Sequence, residues 1–80
     1  MDFKTKGVCS QQIHFDIEDN KVKNVLFTGG CNGNLQGIAR LIEGMDVDDA
    51  ISRIEGIHCG PRATSCPDQL AQALKKATGK

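Results

Sequence analysis

The stretch that decides the fold is Ile57-His58-Cys59-Gly60-Pro61-Arg62-Ala63-Thr64-Ser65-Cys66-Pro67-Asp68-Gln69-Leu70, which contains two of the four cysteines of the chain. Pro67 suits the first position of a helix, because its missing N–H would have no partner there. Ser65 followed by Asp68 has the spacing of a capping box. Cys66 therefore lies where unpaired backbone N–H groups and the helix dipole favour a thiolate, the form of cysteine that binds metals and attacks disulfides.

The composition indicates one domain that spans residues 1–80. A core of this size is marginal, so a metal, a disulfide or an oligomer is an expected source of extra stability. The formal net charge is zero and the aromatic residues are three Phe, which argues against nucleic acid or a membrane surface as a direct partner. The first residues carry no apolar signal segment. We therefore predict a cytoplasmic protein, in which clustered cysteines indicate a metal or redox site.

The first half of the chain predicts three antiparallel strands. Residues 3–8 form a short edge strand, and residues 11–18 alternate apolar and polar side chains. Asp19-Asn20 is a two-residue hairpin turn, after which residues 21–28 return as a third strand. The predicted faces are Ile13, Phe15 and Ile17 inward, Val25 and Phe27 on one side of the returning strand, and Val22 and Leu26 on the other.

The hairpin register predicts where two of the cysteines lie. If Glu18 faces Lys21 across the turn, the same register sets Cys9 opposite Gly30, which is directly beside Cys31. The hairpin alone therefore brings Cys9 and Cys31 to the same end of the sheet.

The second half of the chain predicts three helices. The first follows a glycine-rich loop, is capped by Asn32 or Asn34 and ends at Gly44. The second begins after Asp46 as its cap and ends at Gly56, and the third runs from Pro67 to about Ala77. The predicted buried stripes are Leu35, Ile38, Ala39 and Ile42, then Val47, Ala50, Ile51 and Ile54, then Leu70, Ala73, Leu74 and Ala77. The fold class is α+β: a small three-stranded antiparallel sheet followed by three helices packed on one face.

The four cysteines, Cys9, Cys31, Cys59 and Cys66, fall in predicted loops or at helix starts. Cysteines that serve only as small buried side chains are expected inside the apolar stripes. The placement therefore predicts a metal site of four thiolates at one end of the sheet. Zinc is preferred, because four protein thiolates leave no open coordination position, and an iron–sulfur cluster uses the same ligands. A third interpretation is a dithiol pair, Cys59 with Cys66, that cycles through a disulfide.

Other polar residues give weaker signals. His58 is either a substitute ligand for a metal or an exposed loop histidine. His14 lies on the outward face of its strand, where a solvated side chain is expected. Arg62 is close enough in sequence to both later cysteines to lower a thiol pKa, although a solvated loop arginine is the simpler interpretation. The loop at residues 29–33 has glycines before a helix but lacks the lysine of a phosphate-binding loop.

The string Thr64-Ser65-Cys66-Pro67-Asp68 resembles the signature of the TSCPD domain family. The segments Gly-Val-Cys at 7–9, Gly-Gly-Cys-Asn-Gly at 29–33 and Gly-Ile-His-Cys at 56–59 extend the resemblance over nearly the whole chain. Related domains lie at the C-terminus of adenosylcobalamin-dependent ribonucleoside-diphosphate reductases. The resemblance implies an accessory role in deoxyribonucleotide synthesis, with a reductase-type enzyme or a thioredoxin-like protein as partner and a nucleotide as a further ligand. Eighty residues cannot hold the reductase barrel, so the resemblance favours an accessory module over an enzyme.

A fainter resemblance is to the U-type iron–sulfur cluster scaffold proteins. Cys9, Cys31 and Cys66 match the three ligand cysteines of that family. Ser65 stands where those proteins have a ligand histidine, Gln11 stands where they have an aspartate, and Cys59 is extra. These departures favour a closed site of four thiolates over a labile transfer site, and iron–sulfur scaffolding stays as an alternative function.

Overall fold

The computed structural model describes residues 1–5, 8, 10–29, 32–58 and 60–79. The strands are β1 (Asp2–Lys4), β2 (Ser10–Glu18) and β3 (Lys21–Gly29), and the helices are α1 (Asn32–Ile42), α2 (Val47–Ile54) and α3 (Cys66–Thr78). The strands form one antiparallel sheet in the order β1-β2-β3. The predicted α+β class, with three strands before three helices, is confirmed.

Strand β1 is shorter than the predicted strand over residues 3–8. Lys4 pairs with Gln12, and the Thr5 N–H donates to the Gln11 carbonyl at 3.2 Å. Residues 6 and 7 of the predicted strand lie outside the described residues.

The β2–β3 hairpin turns at Asp19 and Asn20, as predicted. Their φ angles are 52° and 61°, the positive values that a type I′ turn requires at both central residues. Glu18 faces Lys21 at the turn, and Ser10 faces Gly29 at the other end of the hairpin. Cys9, Gly30 and Cys31 lie outside the described residues, so their juxtaposition stays a prediction.

An irregularity in β3 makes one predicted face assignment wrong. The pairing with β2 shifts by one residue beside Asn24, whose φ is 55°. One extra residue reverses the alternation of sides along a strand. Val22 is therefore fully buried, Val25 and Phe27 pack against the same core, and Leu26 is left 60% exposed. The prediction that grouped Val22 with Leu26 on one face is wrong.

Helices α1 and α2 bury the predicted faces. All four predicted residues of α2 are buried, and in α1 Leu35 and Ile42 are buried. Asp46 occupies the N-cap of α2, but its side chain makes no capping hydrogen bond. The predicted cap at Asn34 is wrong, because α1 begins at Asn32 and Asn34 is already inside the helix.

Helix α3 is slightly longer than predicted and completes the core. It buries Leu70, Ala73 and Leu74 against β2, β3, α1 and α2. Ala77 is exposed rather than inward, because it lies in the last turn, at a groove that Met1 also lines. Among the described residues, no helix has the length and apolar content needed to cross a membrane.

Candidate functional site

A buried hydrogen-bond cluster around Asp68 fixes the start of α3. Asp68 is 7% exposed, and its Oδ1 accepts a hydrogen bond from the Gly56 N–H at 2.8 Å. Its Oδ2 accepts from the hydroxyl of Thr64 and from Nε2 of Gln72, the second bond being 2.9 Å long. We refer to Gly56, Thr64, Asp68 and Gln72 as the Asp68 cluster. It ties the segment that leaves α2 to the first turn of α3.

Half of the predicted capping box is confirmed. The Ser65 hydroxyl accepts a hydrogen bond from the Asp68 N–H at 3.1 Å, which satisfies one of the unpaired donors at the start of α3. A capping box also needs the acidic side chain to return to the N-cap N–H. The Asp68 carboxylate instead accepts the hydrogen bonds of the Asp68 cluster, which come from residues farther from Asp68 in the sequence than the N-cap is.

The Asp68 carboxylate is ionised despite its burial. Burial by itself raises the pKa of Asp68, but the hydrogen bonds from Thr64, Gly56 and Gln72 favour the charged form, and the nearby His58 adds to them. The net result is a pKa below the ordinary value of 3.8. The cluster therefore holds a negative charge at neutral pH beside the segment that contains His58.

Cys66, the central residue of the signature, is the first residue of α3 and is 6% exposed. It lies four residues before Leu70, so its side chain continues the buried face of the helix. Cys66 lies at the start of a helix, as predicted. The thiol lies outside the main hydrophobic cluster, at the positive end of α3.

The other three predicted ligands, Cys9, Cys31 and Cys59, lie outside the described residues. Their sequence neighbours are placed: Ser10 pairs with Gly29, and α1 begins at Asn32. Among residues 1–5, 8, 10–29, 32–58 and 60–79, no group of three His, Cys, Asp or Glu side chains could hold a metal ion. The three cysteines are not among these residues, so the four-thiolate site stays a prediction.

The direction of α3 shows which end of the sheet its first turn approaches. Gln69 and Gln72, near the start of α3, line a groove together with Lys4. Ala77, near the end of α3, lines a groove together with Met1. Helix α3 therefore runs antiparallel to β1, with its start at the Lys4 end of that strand.

Five element ends lie on that side of the molecule. The Thr5 N–H bonds to Gln11 just beyond the end of β1, and Ser10 of β2 faces Gly29 of β3. Helix α1 starts three residues after Gly29, and α3 starts at Cys66. We call this side, defined by Thr5, Ser10, Gly29, Asn32 and Cys66, the Ser10 end of the sheet. The described neighbours of Cys9 and Cys31 therefore lie at the same end of the sheet as Cys66.

Sequence reasoning missed two sets of polar contacts. It found the Ser65–Asp68 spacing but not the bond from Asp68 to Gly56, which crosses twelve residues of sequence. The signal that could have indicated this bond is a polar residue, Asp68, at a buried position in the first turn of an otherwise apolar helix face. His14 is on the surface as expected, but its Nδ1 lies 2.8 Å from Asp2 Oδ1, a hydrogen bond that lowers the pKa of Asp2.

These features define a small α+β domain with a buried cysteine at the start of its last helix and a hydrogen-bonded signature around it. The chain belongs to the TSCPD domain family, whose model matches residues 1–78. This membership supports a small domain related to ribonucleotide reductase. No curated protein and no solved structure matches the chain significantly.

Proposed function

We propose that this TSCPD domain is a metal-stabilised accessory module in which Cys9, Cys31, Cys59 and Cys66 together bind zinc or an iron–sulfur cluster. The observation that carries the proposal is that five element ends lie at the Ser10 end of the sheet. Ser10 follows Cys9 directly, Asn32 follows Cys31 directly, and Cys66 itself starts α3. The segments next to three of the cysteines therefore lie at the Ser10 end of the sheet.

The Asp68 cluster supports the inclusion of Cys59. The hydrogen bond from Gly56 to Asp68 and the one from Thr64 to Asp68 hold both ends of the segment that contains Cys59. The described residues between these two anchors, 57–58 and 60–63, are exposed. His58, the described residue before Cys59, is close enough to act on the charge of Asp68.

The donor set fits a closed metal site. Cys66 is buried at the start of a helix, and cysteine is one of the side chains that bind zinc in closed structural sites. Four thiolates satisfy zinc completely and leave no position for substrate, so zinc bound by these residues would supply stability rather than catalysis. An 80-residue chain gains from such a cross-link, because its apolar core is small.

The proposed role is accessory to deoxyribonucleotide synthesis in the cytoplasm. Family membership supports a module that works with a reductase-type enzyme or a thioredoxin-like protein. A nucleotide is a further ligand proposed from family resemblance. The metal site holds the module in shape, and binding to the partner uses the surface around it.

Elemental analysis of protein purified anaerobically without a histidine tag tests the metal proposal, together with a count of reactive thiols after unfolding in chelator. We expect one zinc per chain and four thiols. Iron with matching acid-labile sulfide would support a cluster and the scaffold function instead. Absence of metal with two thiols missing would contradict the proposal. It would support the dithiol alternative, in which Cys59 and Cys66 give up two electrons and two protons as they form a disulfide.

Single replacements test whether all four cysteines belong to one site. Replacing any one of Cys9, Cys31, Cys59 and Cys66 by Ser is expected to lower the metal content by a similar amount. His58→Ala is the matched control, because it changes an exposed neighbour of Cys59 and should leave the metal content unchanged. Normal metal content in Cys9→Ser would show that the hairpin does not deliver Cys9 to the site.

A further inference from the structure

The outer edge of β3 is covered over its first half. The Val22 N–H donates to the Met45 carbonyl at 2.9 Å, and the Gly44 N–H donates to the Val22 carbonyl at 2.7 Å. The Asn24 N–H donates to a carboxylate oxygen of Glu43 at 2.9 Å. The turn between α1 and α2 therefore lies along this edge as a short added strand.

The second half of the same edge, Val25-Leu26-Phe27-Thr28, is open. In the part of the chain that the structure describes, β2 is the only strand that pairs with it. Exposed edges are usually protected by lysines, prolines or covering segments. The two lysines of β3, Lys21 and Lys23, lie in the covered half, and the open half contains neither a charged residue nor a proline. Its backbone is therefore available to another strand.

A groove of about 280 Å³ lies between this open edge and α1. Its walls are formed by Val25, Leu26 and Phe27 from the strand and by Leu35, Ala39 and Arg40 from the helix. An edge strand beside a helix is the arrangement that binds an extended peptide by strand addition. The backbone of the peptide pairs with the edge, and alternate side chains enter the groove.

We propose that the open half of β3 and the facing side of α1 bind an extended segment of a partner protein, with apolar side chains for the groove and an acidic side chain for Arg40. Arg40 is the only charged residue among the described groove residues, so charge complementarity requires an acid. The turn that covers the first half of the edge has this chemistry, since it contains Glu43, Met45 and Asp46.

Charge also disfavours a second copy of this chain as the occupant. Antiparallel pairing of two open edges would place Val25-Leu26-Phe27-Thr28 opposite itself, and this segment brings no acid to Arg40. A segment of a separate partner can pair with the backbone of the open edge and also place an acid near Arg40. This proposal does not depend on the metal site, because none of the described groove residues is one of the four proposed cysteine ligands.

Fluorescence anisotropy with a labelled peptide, Thr-Val-Thr-Glu-Thr-Val-Thr, tests the proposal, because alternation puts both Val and the Glu on one face. We expect saturable binding below about 1 mM. Two versions that carry N-methyl groups on opposite sets of alternate amides give the decisive readout. Strand addition uses one set of amides only, so one version should lose binding and the other should retain it. Absence of saturable binding, or equal binding of both versions, would overturn the proposal.

Variants locate the site. Leu26→Lys places a charge on the open edge and Arg40→Glu reverses the cation, and each is expected to weaken binding by about tenfold or more, corresponding to about 1.4 kcal/mol or more. A peptide with Lys in place of Glu should bind better to Arg40→Glu than to the unmodified protein. Leu41→Lys and Arg53→Glu are the matched controls outside the groove, and circular dichroism checks the fold. A dimer in sedimentation analysis that Leu26→Lys dissociates would show a second copy on this edge and would also overturn the proposal.

Discussion

Within the signature Thr64-Ser65-Cys66-Pro67-Asp68, four residues build the local structure and one carries reactive chemistry. Thr64 and Asp68 share a hydrogen bond, Ser65 caps α3 and Pro67 lies in its first turn. Only Cys66 has a side chain that binds soft metals or exchanges disulfides. The signature therefore fixes the surroundings of a single thiol, and Asp68 makes the largest number of those fixing contacts.

Asp68→Asn is expected to lower the free energy of unfolding at pH 7 by about 2–4 kcal/mol. An amide keeps the shape of the carboxylate but turns one acceptor oxygen into a donor. It therefore cannot accept from Gly56 and also from Thr64 and Gln72. Urea unfolding followed by circular dichroism measures the change. Asp49→Asn is the control, because Asp49 is an exposed acid in the first turn of α2.

The effect of Asp68→Asn should depend on pH with a defined sign. The pKa of Asp68 is lowered in the folded protein, so its contribution to stability is present above the unfolded pKa of about 3.9. It is lost as the pH falls through the lower, folded pKa. The difference between the unmodified protein and the variant should therefore be constant above about pH 5 and shrink below about pH 4. A difference that stays constant down to pH 2 would contradict an ionised Asp68.

At the scale of whole elements, β3 shows how one residue decides what a strand buries. The positive φ of Asn24 inserts an extra residue opposite β2, and Val22 and Phe27 then face the same core. The irregularity also separates the half of β3 that the α1–α2 turn covers from the half that stays open. Asn24 itself is held by hydrogen bonds to Glu43 and Asp16.

Asn24→Val is expected to destabilise the protein by about 1–3 kcal/mol. A β-branched residue disfavours positive φ, whereas asparagine and glycine tolerate it. Asn24→Gly is the matched control, because it also removes the bond to Asp16 but allows the same backbone, so its cost should be smaller. Thermal unfolding of both variants measures the difference. Equal costs would show that the side-chain bonds, not the backbone conformation, hold the bulge.

Strand β3 also shows which features of the fold sequence analysis could not predict. Regular alternation in β2 and the spacing of Val47, Ala50, Ile51 and Ile54 in α2 predicted the buried faces correctly, because periodicity alone determines them. A bulge interrupts periodicity at a position that only the three-dimensional pairing selects. The bond from Gly56 to Asp68 could not be predicted either, because it joins segments that come together only after the helices pack. The residue types of a signature do not by themselves show which residue each side chain contacts.

At the scale of the whole molecule, the two ends of the sheet are held by contacts between different segments of the chain. At the hairpin end, backbone bonds join Val22 to Met45 and Val47 to Asn20. At the Ser10 end, the described bonds include Thr5 to Gln11 and Gly56 to Asp68. The proposed metal site would add a cross-link at this end of the sheet.

Removal of metal is expected to loosen the Ser10 end before the hairpin end. In hydrogen exchange followed by NMR, the amides of Thr5 and Gly56 should exchange faster after chelation, while those of Val22 and Val47 should keep their protection, because their acceptors belong to the α1–α2 turn and the hairpin. Cys66→Ser should show the same pattern before any chelator is added. Faster exchange at both ends alike would mean that the metal holds the whole fold, and unchanged exchange in all four amides would mean that no metal stabilises the Ser10 end. A metal that joins the ends of the strands to the starts of α1 and α3 is expected to speed exchange at the Ser10 end alone.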